Sequence, residues 1–171
     1  AKAKQDSLVK VKKMIEKEPS VHSVLRPLKR KLTESFVTVC KRDSTMAAKD
    51  PKSCRMSLDM FCHDLSLRAV TKDIVVSPTA VVQGTVLSSV HSNLSWLDAK
   101  GAFVTGQKGG DSGAEKQMIS VDEFVTCLAL CGHIKYEEVE QMSLAQRVAG
   151  IVANYLGEKD EQAVITEAIV P

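Results

Sequence analysis

Apolar residues recur at steps of three and four along much of this chain. Val21, Val24, Leu25, Leu28, Leu32, Phe36, Val39 and Cys40 keep that spacing, which predicts a helix with one apolar face over residues 21–41. Pro27 falls near its first turn, where a missing N–H costs least. Before it, residues 5–18 predict a short basic helix that Pro19 ends. A polar stretch with Pro51 leads into a helix opening in Met56-Ser57-Leu58-Asp59-Met60-Phe61, with Ser57 as N-cap and Met60, Phe61 and Leu65 facing inward. Residues 71–78 read as a connector with Ile74-Val75-Val76 extended. Val82, Val86, Val90, Leu94 and Leu97 then predict a helix over residues 78–100; its β-branched residues lower intrinsic propensity, so packing must hold it. Residues 101–117 carry five of the nine glycines and read as one long loop. Ser120 caps the next helix, with Val121, Phe124, Val125 and Leu128 inward, and Glu123 completes the S-x-x-E spacing of a capping box. A further helix spans residues 143–157, from Ser143 to Gly157, with Leu144, Val148, Ile151, Val152 and Tyr155 on one face. The tail 158–171 adds a short one. The expected class is all-α: a basic helical arm at 1–20, a domain at 21–157 and a tail at 158–171.

The 171 residues, 44% hydrophobic, suffice for a packed core. Aromatic residues are only 4%, which disfavours an aromatic platform for single-stranded nucleic acid. No apolar run reaches the length of a membrane span, and the opening AKAKQDSLVK lacks the apolar stretch of a signal peptide. The five cysteines, Cys40, Cys54, Cys62, Cys127 and Cys131, form an odd set without a C-x-x-C pair. Buried free thiols in a reducing compartment, the cytoplasm, are expected instead of a disulfide framework or a zinc site. The net charge of +2 hides a polarity: residues 1–72 hold 17 Lys and Arg against 8 Asp and Glu, whereas residues 73–171 hold 6 against 13. A basic first half favours an acidic partner. Lys29, Arg30 and Lys31 form the densest cluster, opposite the apolar face, and are the candidate partner-binding residues. No nucleic-acid module signature accompanies them, so an acidic protein surface is the economical partner.

Met56-Ser57-Leu58-Asp59-Met60-Phe61 and Ile119-Ser120-Val121-Asp122-Glu123-Phe124 repeat one design at the same point of a helix–loop–helix. This duplication resembles the EF-hand superfamily, over hands at about 21–70 and 78–132, with the helix at 143–157 outside the pair. The resemblance implies a short antiparallel pairing of Met56 with Ile119, and core positions for Phe61 and Phe124. It also implies a closing calcium ligand at the positions of Met60 and Glu123. Calcium needs six to eight oxygens and a glycine at the sharp turn. In the first loop Lys49, Pro51 and Ser53 fall at ligand positions and Cys54 replaces the glycine, so this loop cannot bind. In the second, Ser112, Ala114 and Lys116 fall there, with Gln117 in place of glycine; only a shifted loop could recruit Asp111, Glu115 and Glu123. No metal or other cofactor is therefore expected, and a calcium sensor or buffer using the second loop is the alternative reading. Calcium-independent hands with stretched loops are similar to those of flagellar and axonemal cytoskeletal proteins. That resemblance, with the basic first half, implies a structural protein of the cytoskeleton, bound to tubulin or to neighbouring axonemal proteins, in the cytoplasm or cilium.

Enzyme motifs do not hold together. Gly110-Asp111-Ser112-Gly113 spells a serine-protease motif, but His22, His63, His91 and His133 lie in no matching context and the chain is helical. The glycines around Lys108 lack the order of a phosphate-binding loop. The acidic cluster Glu137, Glu138 and Glu140 needs no acid–base role, since carboxylates near a helix start are favoured electrostatically. No catalytic residue is assigned.

Overall fold

Four helices in this computed structural model start on a serine, and each start is built the same way. Ser57, Ser95, Ser120 and Ser143 accept the N–H of the residue three positions on, and that residue's side chain accepts the serine N–H in return. The partners are Met60, Asp98, Glu123 and Gln146, so amides that would be orphaned at each helix start are satisfied locally. The structure describes residues 2–43, 50–77, 81–82, 85–86, 89–109, 114 and 117–169.

Helices dominate. In chain order they are α1 (Lys2–Lys17), α2 (Pro19–Leu25), α3 (Lys29–Asp43), α4 (Leu58–Leu67), α5 (Trp96–Thr105), α6 (Val121–Lys135), α7 (Leu144–Tyr155) and α8 (Glu161–Ile169). The helix expected over residues 21–41 is divided: Pro27 sits in a tight turn, Arg26–Leu28, between α2 and α3. The apolar stripe survives the break, with Val21, Leu32, Phe36 and Val39 fully buried. The basic first helix is no free arm. Leu8, Val11 and Ile15, again at steps of three and four, are buried where α1 packs on α5 and α6.

The helix expected over residues 78–100 is corrected to strands followed by a shorter helix. β1 (Asp73–Val76) pairs antiparallel with β4 (Val90–Asn93) in the register Asp73↔Asn93 to Val76↔Val90. Between them β2 (Val81–Val82) pairs with β3 (Thr85–Val86). The spacing misleads because steps of four, as in Val82, Val86 and Val90, fall on one face of a helix and of a strand alike. The β-branched content decides for the strand. Leu94 is buried, but Leu97 on α5 is 76% exposed, so the expected stripe does not continue. The long loop also starts later than expected, since Gly101–Thr105 is helical.

Each of α3, α4, α5 and α6 places one phenylalanine in the centre. Phe36 and Phe124 lie 5.3 Å apart between ring centroids, Phe61 and Phe103 5.7 Å, Phe61 and Phe124 6.2 Å. Tyr155 from α7 joins at 5.5 Å from Phe124. Each such pair contributes about 0.5–1.5 kcal/mol beyond the area it buries. α7 lies along α6 so closely that a Cβ on Gly132 would meet the Arg147 carbonyl oxygen at 2.6 Å. A smaller second core of Val76, Tyr136, Val139, Met142, Val164 and Ile165 seats β1 and α8. Among the described residues no helix is long and apolar enough to cross a membrane.

Candidate functional site

The two loops, between α3 and α4 and between α5 and α6, meet at a single pairing. Met56 N–H donates to the Ile119 carbonyl at 3.0 Å, and Ile119 N–H to the Met56 carbonyl at 2.8 Å. Both residues are fully buried, so this antiparallel bridge fixes the spacing of the two helix–loop–helix units.

Among the described residues of the second loop, the side chains of Glu123 and Gln107 bond to backbone groups. Glu123 sits at the third position of α6; one carboxylate oxygen accepts Ser120 N–H and the other accepts Lys108 N–H, both at 2.9 Å. Partial burial pushes its carboxyl up, but these amides outweigh that and hold it below the usual glutamate range. Gln107, 2% exposed, fills the loop from inside. Its amide nitrogen donates to the carbonyls of Phe103 at 3.2 Å and Ala114 at 2.8 Å. From α1, the Lys12 ammonium donates to the Gln107 carbonyl at 2.7 Å. A carboxylate, an amide and an ammonium thus bind one another's loop segments together. Asp111 and Glu115 lie outside the described residues, and so does the whole GDSG motif, Gly110 to Gly113. Among the described residues no group of three or more His, Cys, Asp and Glu side chains is placed to hold a metal ion.

The first loop repeats the solution with different chemistry. The Met60 sulfur stands where Glu123 stands in the second unit and accepts Ser57 N–H at 3.5 Å. Arg55 donates to the carbonyls of Lys52 and Cys54 at 2.7 and 2.8 Å. Asp50 accepts Lys52 N–H at 3.0 Å, and buried Cys54 packs beneath. Lys49 lies outside the described residues.

α7 covers the pair. Tyr155 hydroxyl donates to buried Asp64 on α4, which also accepts from Arg68 at 3.1 Å and Arg42 at 3.3 Å. Arg68 closes the clasp by donating to the Tyr155 carbonyl at 3.0 Å, its guanidinium 4.1 Å from the tyrosine ring centre. Burial and the neighbouring Asp64 push the Tyr155 hydroxyl far up, so it stays a donor. Sequence reasoning missed this clasp. The i,i+4 spacing of Asp64 and Arg68 was its only local sign.

The predicted basic cluster is exposed but paired. Lys29 lies 3.7 Å from Asp122, Arg30 3.3 Å from Glu34 and Lys31 3.7 Å from Glu158. Surface pairs of this kind contribute about 0–1 kcal/mol and exchange readily for another carboxylate. Lys10, Lys13 and Lys17, at helical spacing on α1, are also exposed. All five cysteines are buried, and none is in a disulfide. Burial pushes the Cys62 thiol up to about 11 and Cys127 and Cys131 well above their ordinary value, so these three are not poised as nucleophiles. Comparison with family models, with curated proteins and with solved structures found no match.

Proposed function

We propose that this chain is a degenerate EF-hand pair that works without an ion, as a structural adaptor of the cytoskeleton. Its partner in this reading is an acidic protein surface, the microtubule wall or a neighbouring axonemal protein. One observation carries the ion-independent part. The closing residues Met60 and Glu123 are engaged with backbone amides, while the Met56–Ile119 bridge holds the loops together. A loop whose closing carboxylate already satisfies two amides gains little by exchanging them for calcium. The helix α7, seated by the Asp64–Tyr155 clasp, in this reading takes the place of a partner helix. That arrangement supports a static adaptor over a switch. The acidic-partner part rests on the surplus of cations in residues 1–72.

Two measurements test the reading. Titration with calcium to millimolar concentration is expected to leave the fluorescence of half-exposed Trp96 and the melting temperature unchanged. A saturable change that Glu123→Gln abolishes would establish the sensor instead. Co-sedimentation with microtubules is expected at low salt, with release as salt rises, and loss when Lys29, Arg30 and Lys31 are all changed to Glu. Absence of binding at low salt overturns the cytoskeletal assignment.

A further inference from the structure

Among the described residues, the outer edge of the hairpin between the two units is covered only at its end, where Gln162 of α8 reaches Ser77. Leu94 N–H donates to the Lys72 carbonyl at 2.8 Å, just outside the β1–β4 register. In an antiparallel ladder bonded pairs alternate, so the bonded pairs are Lys72 with Leu94, Ile74 with Ser92 and Val76 with Val90. The backbone N–H and C=O groups of Asp73 and Val75 therefore point away from β4, along the outer edge of β1. Among the described residues no backbone–backbone bond takes them up. Folded proteins ordinarily blunt such an edge with charge. Here no Asp, Glu, Lys or Arg occurs from Ile74 to Leu97, in a chain with 26% charged residues. Val75 stands on that edge 65% exposed.

We propose that the outer edge of β1 docks the same strand of a second copy, antiparallel across a twofold axis at Val75. The edge is complementary to itself in this register. Val75 meets Val75 of the other copy, and Asp73 falls opposite Ser77 and not opposite its own copy, so no like charges meet. Asp73 is further neutralised by His91, whose ring bonds to it, with Glu138 on the far side of the ring at 3.5 Å. The Ser77 carbonyl already accepts from Gln162 at 3.1 Å, so the bonds between copies are the reciprocal pair at Val75 and the Ser77 N–H to the Asp73 carbonyl on either side of it. A net charge of only +2 adds little repulsion between copies. The result is a four-stranded sheet, a more stable unit than an isolated hairpin.

Sedimentation equilibrium of the full chain from micromolar to sub-millimolar concentration tests this. The mass is expected to rise to that of a dimer, and Val75→Lys, at an exposed position, to remain monomeric with an unchanged melting curve. A wild-type chain that stays monomeric throughout, or a dimer that survives Val75→Lys, overturns the proposal. Cross-linking tests the register separately. Bonded antiparallel partners have Cα atoms about 5.5 Å apart, within the reach of a disulfide. Under mild oxidation Val75→Cys should cross-link about tenfold or more faster than Leu67→Cys, an equally exposed apolar position. The buried native thiols give little background. Equal rates for the two variants overturn the register and the proposal with it.

Discussion

The two helix–loop–helix units begin their second helices with the same box and close it with opposite chemistry. The first uses a neutral sulfur, Met60, reaching one amide; the second uses a carboxylate, Glu123, reaching two. The first loop is tied by Arg55 from within, the second by Lys12 from a different helix and by the buried amide of Gln107. The comparison teaches that what these loops require is satisfied backbone, and that a sulfur, a carboxylate or a cation from elsewhere in the chain can each supply it. It also separates the units by pH: the second carries a titrating closure, the first does not.

The largest effect expected on this comparison is at the centre both units share. Phe124 touches Phe36, Phe61 and Tyr155, whereas Phe103 touches Phe61 among the rings. Phe124→Ala should lower stability by about 3–5 kcal/mol, with Phe103→Ala at or below the low end of that range, measured by urea denaturation. Next in size is Tyr155→Phe, which leaves buried Asp64 without one of its donors; a loss of about 1–3 kcal/mol is expected in the same assay. Glu123→Met, which gives the second unit the first unit's closure, should cost about 1 kcal/mol at neutral pH. Because the Glu123 carboxyl is held below its unfolded value of about 4.3, its contribution is complete above that pH and lost as pH falls through the folded value. Wild type and Glu123→Met should therefore converge in acid. The smallest effect is the converse change: Met60→Glu should raise the melting temperature slightly, by no more than about 1 kcal/mol of stability, through the helix-start dipole.

Much of this was readable along the chain because it is local. Ser57, Ser120 and Ser143 announce their helices within three residues, and the resemblance carried by the repeated hexapeptide implies the pairing of Met56 with Ile119. Ser95 with Asp98 carries the same S-x-x-D signature and marks the true start of α5, but the valine spacing upstream masked it. The hairpin was hidden by a period shared by strand and helix. The uncharged run with Gln83-Gly84 between Val81-Val82 and Thr85-Val86 was the better signal. The stripe Leu8, Val11, Ile15 was equally plain, although the lysines around it suggested a solvated arm. Lys12 on the Gln107 carbonyl and Tyr155 on Asp64 could not be read at all. They join residues 95 and 91 positions apart, and no local pattern records such a meeting.

That last separation has a bearing on how the chain reaches its shape. Ribosomal synthesis delivers α3 to α6 before α7, so the phenylalanine cluster must spend an interval without its cover. Contacts spanning long stretches of sequence form late, because closing the intervening chain is entropically costly. Docking of α7, with Tyr155 finding Asp64, then falls among the late events of folding. Until it occurs, the nascent pair exposes the apolar surface that chaperones bind.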